Sequence, residues 1–168
     1  IVVEFVANQS PTAVLTASPS VTRAAEYVAL NASGSSDHDG GVTNYHWDFE
    51  NDSVVDLTGY SQTSHAYTNN GTTAINYTAK VTAFDGHGAS GAATVAVTVY
   101  PVSSKAITVQ SGSVSQPYQM AGSTVTLTAN SAPISGQPFG KWVVVSGSGS
   151  FASASASSTT FTVGSADA

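Results

Sequence analysis

The chain contains no cysteine, so a disulfide framework and a thiolate zinc site are both excluded. Charge is nearly as scarce, at 8% of 168 residues against the usual quarter. The cations Arg23, Lys80, Lys105 and Lys141 are scattered and form no phosphate-binding patch. The net charge of −6 argues against nucleic acid as a partner. There is no apolar run long enough for a membrane-spanning helix. No nucleophile-elbow pattern or other positive catalytic feature is present, so the reading is "not an enzyme". His38, His46, His65 and His87 show none of the common zinc spacings. There is no signal peptide, and residue 1 is Ile rather than Met, which points to a processed or excerpted chain.

Ser and Thr make up about a quarter of the chain, and 41% is hydrophobic, so a core can still be buried. This charge-poor, hydroxyl-rich composition suggests an extracellular protein, secreted or on a cell surface. Five N-x-[ST] sequons start at Asn8, Asn31, Asn51, Asn70 and Asn76 and are candidate glycosylation sites. Plain Ser/Thr richness is the competing explanation.

Short alternating runs are separated by Gly, Asn, Asp or Pro, which predicts an all-β fold. Expected strands are 12–17, 26–32, 42–50, 61–67, 74–84 and 90–99, then 105–111, 123–130, 139–146 and 158–163. Tyr45, Trp47 and Phe49 alternate with His46, Asp48 and Glu50, so the aromatics form one inward face. Val81, Ala83, Val95, Val97 and Val99 supply facing strands. Acidic residues concentrate between Asp37 and Asp85, and the change in composition near Tyr100-Pro101 marks a domain boundary.

Five motifs follow one another in the first part: Asn8-Gln9-Ser10-Pro11-Thr12-Ala13, Ser36-Asp37-His38-Asp39-Gly40, Tyr45-His46-Trp47-Asp48-Phe49, His65-Ala66-Tyr67 and Val81-Thr82-Ala83-Phe84-Asp85-Gly86-His87-Gly88. In order and spacing, residues 8–100 resemble the polycystic-kidney-disease (PKD) domain. That resemblance implies an immunoglobulin-like β-sandwich. One departure is the family's WDFGDG turn, here Trp47-Asp48-Phe49-Glu50-Asn51-Asp52-Ser53, a longer acidic loop.

Residues 101–168 carry Ala121-Gly122-Ser123-Thr124-Val125-Thr126-Leu127-Thr128-Ala129, then Gly136, Phe139 and Trp142, then Thr159-Thr160-Phe161-Thr162-Val163. This resembles the internalin-type B-repeat, a small extracellular β domain. Such repeats finish with one more apolar strand, which is missing here after Phe161 and Val163. A segment of that character stands at residues 1–7 instead: Ile1, Val3 and Phe5 share one face, and Val2 and Val6 flank Glu4 on the other. The expectation is that this strand completes the C-terminal domain of a neighbouring copy. The termini of a seven-strand sandwich lie about 35–40 Å apart, whereas six or seven extended residues reach about 20–25 Å. Separate subunits and a tandem-repeat chain both fit, and pairing with the PKD domain's own edge is the alternative.

Two acidic groups suit a hard cation such as calcium. In the first, Asp37-x-Asp39-Gly40 and Asp85-Gly86 put carboxylates in turns. The PKD resemblance implies that Asn8, Asp37, Asp39 and Asp85 can share one Ca²⁺; solvated turn carboxylates are the alternative. The second comprises Asp48, Glu50, Asp52 and Asp56, whose spacing suggests a calcium loop, although the EF-hand Gly and terminal Glu are missing. A plain acidic strand edge fits equally.

Two functions from different classes follow. One is a secreted structural subunit of a filament, pilus or surface layer that polymerises head to tail with copies of itself and is stiffened by calcium. The other is an accessory binding or adhesion module of a larger secreted hydrolase or tandem-repeat adhesin. It would hold a polysaccharide, collagen or a cell surface through exposed aromatics such as Tyr60, Tyr67 or Tyr118.

Overall fold

The computed structural model describes Val3, residues 6–131 and residues 137–165. Every regular element among them is a β-strand, as the alternating sequence predicts. The chain divides into two compact units: the first runs to Val99 without Asn70–Thr72, and the second takes that short stretch together with the chain from Tyr100 onward.

The first unit is a sandwich of two sheets. One contains β1 (Thr16–Ser18), β3 (Tyr27–Asn31) and β6 (Gln62–Ala66), in the order β1-β3-β6. The other contains β2 (Val21–Arg23), β4 (Asn44–Asp48), β5 (Leu57–Thr58), β7 (Ile75–Phe84) and β8 (Ser90–Tyr100), in the order β2-β8-β7-β4-β5. Period-two alternation fixes which face of each strand turns inward. Val28 and Leu30 of β3 are buried, as are Trp47 of β4, Val81 of β7 and Val97 and Val99 of β8. Trp47 stands opposite Val81 in the ladder, and its Nε1 donates to the Tyr60 carbonyl at 2.8 Å. The indole thus buries its apolar surface while its one polar group is satisfied.

The second unit is built on the sheet β10-β12-β14-β13. Its strands are β10 (Gly112–Val114), β12 (Thr124–Ala129), β13 (Gly149–Phe151) and β14 (Ser158–Val163). The short β9 (Lys105–Ala106) and β11 (Tyr118–Gln119) form a separate pair. Val125, Leu127, Phe161 and Val163 form the buried core, with Ile107, Val109, Val114, Trp142, Val144 and Phe151 only partly covered around it.

Several expectations need correction. No strand forms over 139–146, although exposure alternates over 141–145 as a strand's would. In 105–111, strand pairing stops at Ala106. The expected 12–17 strand is shifted: Thr12 makes an isolated bridge to Ser36, and β1 starts at Thr16. Strands β2, β5, β10, β11 and β13 had no counterpart in the pattern. Phe161 and Val163 were expected to border a missing strand. Instead, β14 pairs with β12 on one side and β13 on the other, so both its edges are occupied. Of the expected donor segment, Ile1, Val2 and Phe5 lie outside the described residues. Val3 and Val6 belong to no strand and are 68% and 82% exposed.

Candidate functional site

The first acidic group gathers at one end of the PKD-like sandwich. Reciprocal backbone hydrogen bonds between Thr12 and Ser36, at 2.7 and 3.0 Å, tie the chain's early arm to the 36–40 turn. This bridge brings Gln9 to Asp39, whose Oδ2 accepts the Gln9 N–H at 2.9 Å. Asn8 Nδ2 donates to Asp85 Oδ2 at 2.6 Å. Asp85 Oδ1 accepts the N–H groups of His87 and Ala89 at 2.8 and 2.9 Å, closing the turn after β7. The Asn8 hydrogen bond, with backbone N–H groups helping, holds the Asp85 carboxyl below its usual range against the opposing effect of burial.

Asp37 is the exception in this group. Both of its carboxylate oxygens are shielded from solvent, and neither has a hydrogen-bond partner among the described residues. A desolvated carboxylate without a partner is costly unless a cation or donor reaches it. The Asp37 carboxylate therefore fits a bound cation. Asn8 and Asp85 are already engaged with each other, Asn8 through its amide nitrogen. Among the described residues, no three His, Asp or Glu side chains converge as a ready-made metal cluster.

The second acidic group does different work. Asp48 accepts the N–H groups of Asp52 and Ser53 at 3.0 and 2.9 Å. Asp52 accepts that of Val54 at 2.9 Å, and Asp56 that of Phe49 at 2.7 Å. Glu50 pairs with His65 at 3.2 Å. Every acid of the group thus has a protein partner. The carboxylates shape a loop in which Asn51 and Ser53 take positive φ angles of 56° and 74°.

His65 also stacks on Phe49 at 4.2 Å and meets the edge of Tyr67 at 4.6 Å, so its place is in an aromatic row. Tyr67, expected to be exposed, is 1% exposed. Burial, with the negative charges of Glu50 and Asp56 adding to it, raises its phenol well above the ordinary range. Tyr60 is 67% exposed as expected, and Tyr118 is half-buried. Tyr27, 73% exposed, was missed. Its alternation with inward Val28 and Leu30 was the available signal. All five sequon asparagines lie at exposed positions.

Around Tyr27 the outward face of β1-β3-β6 carries Thr16, Ser18, Ala29, Asn31, Gln62 and Ser64. These residues are exposed and uncharged, so this part of the sheet is a hydroxyl- and amide-rich surface with one large ring.

Residues 8–99 match the family model described as the PKD domain, and the chain belongs to that family. None of the curated proteins matches the chain. One similar solved structure is described as "Structural basis for the promiscuous specificity of the carbohydrate-binding modules from the beta-sandwich super family". It is 25% identical with a TM-score of 0.50, over 73% of this chain and 56% of its own. The chain thus spans little more than half of that structure's length. Two others are the PKD1 domain of Vibrio anguillarum Epp and the PKD1 domain of the Vibrio cholerae metalloprotease PrtV. They are 28% and 25% identical, with TM-scores of 0.43 and 0.42. They cover 56% and 55% of this chain and 99% of their own.

Proposed function

We propose that this chain is a non-catalytic binding module of an extracellular protein, and that it holds a carbohydrate surface. The observation that carries this reading is the 25% identity and TM-score of 0.50 with a structure of carbohydrate-binding modules. The surface of β1-β3-β6 supports it chemically. Hydroxyl and amide side chains exchange hydrogen bonds with sugar hydroxyls, and an exposed tyrosine offers an apolar ring with a polar tip. The test is retention of the intact chain on insoluble cellulose, chitin and xylan, compared with Tyr27→Ala and Tyr60→Ala. Retention lost in Tyr27→Ala places the ligand on this sheet. An unmodified chain that passes through all three columns would sink the reading.

Calcium belongs to the proposal as a structural ion. Asp37 would hold it, with Asp39 beside it in the same turn. The ion would supply positive charge to a carboxylate that otherwise has no partner, and so stiffen the turn against the Asn8–Gln9 arm. Identical melting with Ca²⁺ and with chelator would remove it.

A second reading is assembly with copies of the same chain into an extracellular filament. One observation favours it: Val143 and Val145 of the second unit are 63% and 86% exposed on a segment without strand pairing. Electron microscopy of the intact chain tests it. Dispersed monomers at high concentration would exclude it.

A further inference from the structure

The second unit has a core that is covered on one side. Its four buried residues lie on β12 and β14. The residues facing them from outside that sheet include Ile107, Val109, Trp142 and Val144, all left partly exposed. They come from two extended segments. Along 105–110, Ile107 and Val109 are half-buried while Ala106, Thr108 and Gln110 are exposed. Along 141–145, Trp142 and Val144 are half-buried while Lys141, Val143 and Val145 are exposed. Strict alternation of this kind is the signature of a strand lying on a core. The segments meet at Gly112: a Cβ there would lie 2.9 Å from Val109 Cγ1 and 3.0 Å from Trp142 Cη2.

Each segment has one backbone hydrogen bond to a neighbouring stretch. The Ile107 N–H goes to the Pro117 carbonyl at 2.7 Å, and the Trp142 N–H to the Ala154 carbonyl at 2.8 Å. Successive residues of a strand point their backbone groups to opposite sides. The other side of 141–145 belongs to Val143 and Val145, and no backbone hydrogen bond to either is found among the described residues. The result is an open strand edge with exposed valines beside a half-covered core. Soluble proteins normally blunt such an edge with charge, proline or a covering element.

We propose that the open edge of 141–145 is an acceptor for a β-strand, and that the strand is residues Ile1–Val6 of a second copy of this chain. The proposal rests on the assembly reading above and names its joint. The sequence of the segment fits the edge on both faces. Ile1, Val3 and Phe5 would turn toward Ile107, Val109, Trp142 and Val144 and complete their burial. Val2 and Val6 would stand on the outward face with Val143 and Val145, giving the exposed valines cross-strand partners, while Glu4 between them stays in water. Val3 and Val6 are 68% and 82% exposed, so neither is covered within its own copy. Six extended residues span about 20 Å, enough to run the length of 141–145. The acceptor is therefore not β14, whose two edges are filled, but the opposite side of the same core.

The absence of native cysteine makes a clean test possible. Intact chain carrying Glu4→Cys is mixed with intact chain carrying Val143→Cys under mild oxidation, beside a control pairing Glu4→Cys with Ser64→Cys on the first unit. Assembly of the unmodified chain is followed in parallel by sedimentation. The proposal expects a disulfide-linked pair of chains from the first mixture and none from the control. Adding Val145→Lys should lower its yield at least about tenfold, because an edge lysine disfavours strand addition. Sedimenting assemblies without the crosslink would overturn this joint and leave the assembly reading standing. Absence of both would overturn the two together. A doubly substituted chain that closes its disulfide internally at high dilution would overturn the second copy as occupant.

Discussion

Asn8 and Asp85 are 77 residues apart in sequence and joined by a 2.6 Å hydrogen bond. The bond attaches the entering arm of the PKD domain to the turn between β7 and β8, its two longest strands. It also sets a pH dependence. The Asp85 carboxyl is held below its ordinary value, chiefly by Asn8. A depressed carboxylate contributes stability that is present above its unfolded pKa, about 3.9, and is lost as pH falls through the lower folded value. Asn8→Ala should therefore move the midpoint of acid unfolding to higher pH, as read by circular dichroism, and lower the melting temperature at pH 7, where the contribution is fully present. An unmoved acid midpoint would mean that the turn N–H groups alone hold Asp85.

Asp37→Asn separates the cost of an orphaned carboxylate from the gain of a bound ion. In chelator the variant should melt at or above the unmodified chain, because a desolvated charge without a partner has been removed. In millimolar Ca²⁺ the order should reverse, since only the unmodified chain gains stability by mass action. Calorimetry in both buffers decides this, and parallel curves would remove Asp37 from any cation site.

Gly91 lies where two backbones nearly touch. A Cβ at this position would sit 1.9 Å from the Pro11 carbonyl oxygen. Gly91→Ala should destabilise the first unit by about 1–3 kcal/mol, the usual range for overpacking a site that cannot yield. The displaced Pro11 should also loosen the Thr12–Ser36 bridge. Urea unfolding followed by fluorescence of the buried Trp47 measures the first effect.

The Tyr67 hydroxyl is buried without a partner among the described residues. Tyr67→Phe should be neutral or slightly stabilising at pH 7, because it removes an unsatisfied polar group at nearly constant shape. The phenol's raised pKa adds a sign at high pH. The unfolded chain ionises this tyrosine above about pH 10 while the folded chain resists, so stability falls as pH rises past that point. The Phe variant should lose less stability than the unmodified chain between neutral and strongly alkaline solution. Equal loss would show that other groups govern alkaline unfolding.

The aromatic face of β4 was readable because period-two alternation is local: Tyr45, Trp47 and Phe49 announce their own side of the sheet. The HxY pattern at His65–Tyr67 was equally visible, yet exposure could not be read from it. Whether the Tyr67 ring meets water depends on Tyr77, which comes from β7 and packs against it. Gly149–Phe151 went unnoticed because a short Gly/Ser-rich stretch has no β-branched signature, and it became a strand through its pairing with β14. Along 139–146 the apolar run Trp142–Val145 suggested a strand, while the missing ladder could not be read, since pairing is a property of two segments.

By itself, the sequence determined the all-β class, the PKD family, the inward faces of the long strands and a surface poor in charge, all consequences of residue type and spacing. Only the tertiary structure decided which carboxylates are satisfied by backbone N–H groups and which, at Asp37, is left without a partner. It alone showed that both edges of β14 are paired, while no backbone partner of Val143 or Val145 is found among the described residues. Hydrogen-bond satisfaction is a sum over neighbours brought together from distant positions, and a single chain position does not carry that sum.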